Sequence, residues 1–165
     1  MRTALLIVIT MFLSVFIIGS YNLIYITLLS FNIIYLVFIV YYILSRERLL
    51  FLLIYVFFYG IFLSLMFFDR LGSFSILFIF PIFLLYLALN LKQSNNINIL
   101  SIIIISLIFN ALLLYFLYGN VVLHLLSIYL NIDILLLIIS LIDGIIIYVI
   151  NKIQLNNGAI KVDIS

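Results

Sequence analysis

Long apolar runs, separated only by short polar turns, constrain this chain more than any motif in it. A membrane-spanning helix needs about 20 predominantly apolar residues. Runs of that order occupy 4–19, 23–45, 49–68, 73–91 and 97–119, and a last run ends at 151. The breaks are Gly19-Ser20-Tyr21-Asn22, Arg46-Glu47-Arg48, Asp69-Arg70-Leu71-Gly72 and Lys92-Gln93-Ser94-Asn95-Asn96. The runs lack the alternation of barrel strands, and in lipid each segment must satisfy its own backbone groups. The predicted fold class is therefore all-α, a polytopic transmembrane helix bundle of about six spans. Loops this short make neighbouring helices antiparallel. Residues 1–151 read as one transmembrane domain and 152–165 as a short polar tail.

Composition narrows the function classes. The chain is 70% hydrophobic and 7% charged, against about 45–50% and about 25% in a soluble domain. So few charges cannot cover a water-facing surface. The scattered net charge of +2 gives no footprint for nucleic acid. With no cysteine, disulfides, thiolate metal sites and iron–sulfur ligation are excluded. With one histidine, so is a self-contained bis-histidine haem site. No cofactor or metal is expected in this chain. Arg2 followed by Ala4–Ile18 looks like a signal peptide, but no Ala-x-Ala step follows, so the run reads as a retained first helix.

Charge sets the expected orientation. In a six-span arrangement one side holds Arg2, Arg46, Arg48, Lys92, Lys152 and Lys161, and the other holds Arg70. By the positive-inside rule both termini then lie on the cytoplasmic or matrix side, in a prokaryotic plasma membrane or a mitochondrial inner membrane. A five-span alternative, with 73–91 not spanning and the N-terminus outside, divides the same charges four against three.

Polar and special residues inside the runs are the candidates for function. In the second span Tyr21, Tyr25, Leu28, Asn32, Tyr35, Ile39 and Tyr42 share one face by their three-four spacing. That face packs against protein or meets a water-containing cavity, and Asn32 near mid-span distinguishes the two. Gly60 and Ser64, four apart, allow close helix approach; Tyr59-Gly60 is also a candidate bulge or hinge. Pro81 removes one hydrogen bond from the fourth span. Ser106 and Asn110 in the fifth are one turn apart and suited to interhelical bonds. His124 reads as an interfacial structural group.

Asp143 carries the strongest hint. Ionising a carboxylate at mid-membrane depth costs roughly 2.5–3.5 kcal/mol on insertion scales. Around it Asp133, Leu137, Ser140, Gly144, Ile147 and Asn151 follow one face, mostly polar or small. Two readings stand. Asp143 is a protonated group hydrogen-bonded to a neighbour such as Asn110, or it is a relay that ionises when hydrated. No GxSxG, HExxH, paired-aspartate or Walker motif accompanies it, so catalysis by this chain alone is not expected.

The order Tyr129-Leu130-Asn131-Ile132-Asp133, then the leucine-rich run, then Asp143-Gly144, ending at Lys152, resembles the C-terminal helix of the J-type membrane subunit of respiratory complex I. Tyr55-Val56 and Tyr59-Gly60 resemble that family's bulged third helix, and Glu47 its preceding acidic residue. The resemblance implies a non-catalytic subunit of a quinone reductase that couples electron transfer to proton translocation, with no redox centre of its own. It also implies five spans and an outside N-terminus. The leading expectation is thus a multi-pass subunit of a respiratory electron-transfer complex, packed among other membrane subunits and contributing to a proton path. The alternatives are a small transport module (the substrate-binding membrane component of a transporter) and a purely structural assembly subunit.

Single cysteines placed beside Arg70 and Lys92 in this cysteine-free chain test the topology. Six spans require membrane-impermeant labelling from opposite sides. Labelling from the same side selects five.

Overall fold

The computed structural model describes residues 2–20, 24–45, 48–67, 72–91, 98–118 and 126–162 in backbone, and the side chains of 3–19, 26–45, 48–67, 72–88, 98–116 and 134–155. Six helices follow in order: α1 Arg2–Ser20, α2 Ile24–Leu44, α3 Leu49–Met66, α4 Ser73–Leu91, α5 Ile99–Tyr118 and α6 Leu126–Val162. No strand occurs among the described residues. The all-helical class follows from the length and apolarity of the runs, because a helix satisfies its backbone bonds within itself. Four stretches are long and apolar enough to cross a membrane: Ile26–Leu44, Leu49–Met66, Ile99–Phe116 and Ile134–Leu155. That suggests an integral membrane protein. Thr3–Gly19 and Ser73–Ala88 are shorter apolar helices.

Two expectations about the elements are corrected. The last helix does not stop at 151 but runs on through Lys152 to Val162, so most of the expected tail is helical. And α3 is α-helical throughout, with no bulge at Tyr59-Gly60. Its C-terminal end closes normally, the Phe67 backbone N–H donating to the Leu63 carbonyl. α4 likewise continues as helix through Pro81.

Contacts gather into two compact units, Met1–Phe80 and Pro81–Ser165. In the first, α2 is the central helix: 67% of its apolar window is buried, against 33% for that of α3. Leu28, Asn32, Tyr35, Ile39 and Tyr42 are buried, but so are Phe31, Ile34, Phe38 and Ile43 on other faces. The second-span stripe is therefore part of a helix enclosed nearly all round, and Asn32 at 2% exposure lies in packing. Tyr21, and the side chain of Tyr25, lie outside the described residues.

Aromatic rings fill this unit's interior. Phe31 stacks on Phe74 at 5.2 Å, and Phe38 meets Phe78 at 5.3 Å and Tyr59 at 5.6 Å edge-on. Such pairs contribute about 0.5–1.5 kcal/mol each beyond the area they bury. α3 and α4 meet at Gly60, where a built Cβ would overlap the backbone N and Cα of Ser75. Gly60 is thus a close-approach glycine. Gly72, just before α4, has φ +88°, a conformation that glycine adopts at no steric cost, and its carbonyl accepts from the Ile76 N–H at 3.1 Å.

In the second unit, α5 and α6 pack along their lengths. Asn110 pairs with Ser140, and Ile103 abuts Gly144. Partners run in opposite directions, so the two helices are antiparallel.

The two glycine environments predict a sharp contrast. Gly60→Ala should destabilise by about 1–3 kcal/mol through overpacking against fixed backbone. Gly19→Ala should be neutral or slightly stabilising, because nothing lies within 4 Å of its built Cβ. Thermal unfolding in detergent, followed by circular dichroism, measures both.

Candidate functional site

Two buried polar layers stand out, one in each unit. The layer around Asp143 is built by α5 and α6. Asn110 Nδ2 donates to Ser140 Oγ at 3.0 Å, and Ser140 Oγ donates onward to the Leu136 carbonyl at 2.7 Å. Asn110 and Ser140 are 1% and 0% exposed, and Asp143 is 1% exposed. Ser106 and Asn151 are buried on the same two helices.

Depth follows from helix rise. Asp143 lies nine residues after the start and twelve before the end of the apolar stretch Ile134–Leu155. At 1.5 Å per residue these are about 14 and about 18 Å, so the carboxyl sits near the middle of the span. Among the described side chains of this unit the one cation is Lys152, exposed and about 14 Å further along α6. The pairings of Asn110 with Ser140 and of Ile103 with Gly144 set Asp143 level with the part of α5 that carries Ser106. Gly144 permits this proximity, since a built Cβ would run into the Ile103 side chain.

The sequence-predicted residues are thus partly brought together. Asn110, Ser140 and Asp143 belong to one buried layer. Asn110 donates its amide to Ser140, which the sequence reading had not paired. Asn32, Tyr59 and Gly60 belong to the other unit, and Pro81 lies within α4 at the boundary. Asp133 falls one residue before the apolar stretch of α6, and its side chain lies outside the described residues, as do Glu47 and His124.

The second layer was missed in the sequence. Thr10 and Ser14 on α1 face Tyr55 and Tyr59 on α3. The Thr10 and Tyr55 hydroxyls are 2.5 Å apart, and those of Ser14 and Tyr59 are 2.8 Å apart. The Tyr59 hydroxyl also lies 3.2 Å from the Thr10 carbonyl, as a donor, and Ser14 Oγ donates to that carbonyl at 2.8 Å. Both pairs are four residues apart on each helix, which is the signal that would have found them. The constant offset shows that α1 and α3 run parallel. The Thr10 carbonyl links the two pairs and it only accepts, so no hydroxyl chain can pass a proton along this ladder. It fastens α1 to α3. A further seam holds α4: Ser75 Oγ donates to the Phe57 carbonyl at 2.7 Å, and Ser64 lies 3.4 Å from Ser73.

Among the described residues no group of His, Cys, Asp and Glu is placed to hold a metal ion. Comparison of the chain with protein-family models, curated proteins and solved structures finds no match.

The Asn110–Ser140 bond predicts measurable coupling. A double-mutant cycle of Asn110→Ala with Ser140→Ala should give an interaction energy of about 0.6 kcal/mol, with about 1.7 as the upper limit for such bonds. Unfolding of the four proteins in detergent measures it. Strict additivity would mean that the bond contributes nothing.

Proposed function

We propose that this chain is a non-catalytic, multi-pass subunit of a larger membrane assembly, and that Asp143 is the group through which it takes part in proton movement. The observation that carries this reading is the burial of Asp143 near the centre of an apolar 22-residue stretch, in a layer with Ser140 and Asn110. Ionisable side chains at that depth face protein or water and mark ion and proton routes. The residues supply no nucleophile with a base beside it. A subunit role is supported by the large apolar side chains left exposed, including Val8, Phe12, Val15 and Phe16 on α1, which need lipid or other subunits as their surroundings. The resemblance of the last helix to the J-type subunit gives the assembly its most specific form, a quinone-reducing respiratory complex.

Two measurements test this. Purification of the tagged chain in mild detergent should bring down redox subunits. An energy-coupling ATPase in their place would make the chain a transport module. In the assembled complex reconstituted into vesicles, Asp143→Asn should leave assembly intact and reduce proton translocation at least tenfold, with Asp143→Glu retaining part of it. Unchanged translocation in the Asn variant would remove Asp143 from the route.

A further inference from the structure

A different part of the molecule shows a binding site, independent of the reading of Asp143. α1 and α2 do not close fully on each other. They leave a cavity of about 300 Å³ that opens to the outside and is lined almost wholly by apolar atoms, with Leu6, Ile9, Val37, Val40, Tyr41 and Ser45 among its walls. We propose that this cavity holds one acyl chain of an anionic phospholipid, with an ester carbonyl at Tyr41 and the phosphate at the basic ends of the helices.

Length is the first argument. The α2 wall extends from Ile33 to Ser45, twelve residues or about 18 Å. That is roughly the depth of one leaflet of a hydrocarbon core about 30 Å thick. The apolar lining would leave water without partners, and a helix about 10–12 Å across does not fit a space of this volume. An acyl chain fits both the shape and the chemistry.

Tyr41 supplies the second argument. Its side chain lines the cavity and is 7% exposed. Its hydroxyl is the one buried side-chain polar atom among the described residues that has no hydrogen-bond partner. Burial of a donor without an acceptor is costly, and most costly in apolar surroundings. An ester carbonyl is an acceptor without a donor of its own. The hydroxyl is covered by neighbouring atoms, so capture of a carbonyl requires a turn of the side chain towards the cavity.

Charge is the third. Ser45 at the cavity's end is followed at once by Arg46-Glu47-Arg48. α1 begins at Arg2, and Arg48 is the N-cap of α3. Because α1 and α3 run parallel, these two helix starts lie at the same end. Three arginines against one glutamate leave a local charge of +2. The phosphate of a lipid whose ester lies one helical turn deeper, at Tyr41, would meet that charge. Basic residues at a membrane surface favour anionic lipid by about fivefold each.

Native mass spectrometry of the full chain in detergent, titrated with dioleoyl phosphatidylglycerol or dioleoyl phosphatidylcholine, tests the site. The unaltered chain should retain one phosphatidylglycerol, at least fivefold over phosphatidylcholine. Arg46→Gln with Arg48→Gln should level the two lipids. Val37→Trp, and separately Val40→Phe, should abolish retention of both by filling the cavity. Tyr41→Phe should weaken retention of the ester lipid and leave that of its ether-linked analogue unchanged. Equal retention of the two headgroups by the unaltered chain overturns the proposal whatever the variants do. So does undiminished retention by the filled variants, or no retention of either lipid, which would mark the cavity as covered by a neighbouring subunit.

Discussion

Every backbone N–H and C=O that enters an apolar solvent must carry its partner with it. This single requirement turns the long runs of the chain into helices and leaves the rest of the structure to side chains. A soluble protein selects its core face by hydrophobicity, but here both the inside and the outside of a bundle are apolar. α1 illustrates it: Leu6 and Ile17 are buried while Leu5, Val8 and Phe16, of the same character, are exposed. Transfer from water cannot choose between them. Close approach, ring stacking and hydroxyl bonds decide which helix meets which. Hence Gly60 on Ser75, Phe31 on Phe74 and Thr10 on Tyr55 matter more to the arrangement than any aliphatic residue.

The same reasoning explains what could be read beforehand. Helices over 73–91 and 97–119 are legible because the bounds of a span are set by where polar residues begin, and α4 and α5 end within two residues of those limits. The length of α6 is not, because the run after Asn151 is polar in composition yet holds Lys, Gln, Leu and Ala with no proline. A helix already nucleated by the span propagates through such residues at little cost. Tyr55 and Tyr59 are hidden for another reason. A tyrosine near a membrane interface reads as an anchor, and only the matching Thr10 and Ser14 on another helix make it a tie. Pairing across helices depends on register, and a single sequence does not carry register.

In the Asp143 layer the individual residues were legible and their connections were not. Asp143, Ser140 and Asn110 attract notice one by one, because polar groups at that depth are expensive. Which of them bond follows from the antiparallel register of α5 against α6. That register sets Asn110 opposite Ser140, and Asp143 about one turn further along. Ser140, by donating to Leu136 and accepting from Asn110, is held in one orientation. The layer therefore has a fixed part and a titratable part side by side.

The continuity of α6 limits what Asp143 can do. An unbroken helix uses its own amides, so none is left to receive a carboxylate, unlike the broken helices that bind ions in transporters. Any stabilisation of charge on Asp143 must come from side chains or from water. Water reaching this depth from between α5 and α6 must separate them where Ile103 rests on Gly144, beside the Asn110–Ser140 bond. The contact that makes the layer dry is then also the one that gates it. A proton exchanged at Asp143 would move by the parting and closing of a helix pair. The Thr10–Tyr59 ladder, by contrast, stays satisfied by the Thr10 carbonyl and serves as a fastening.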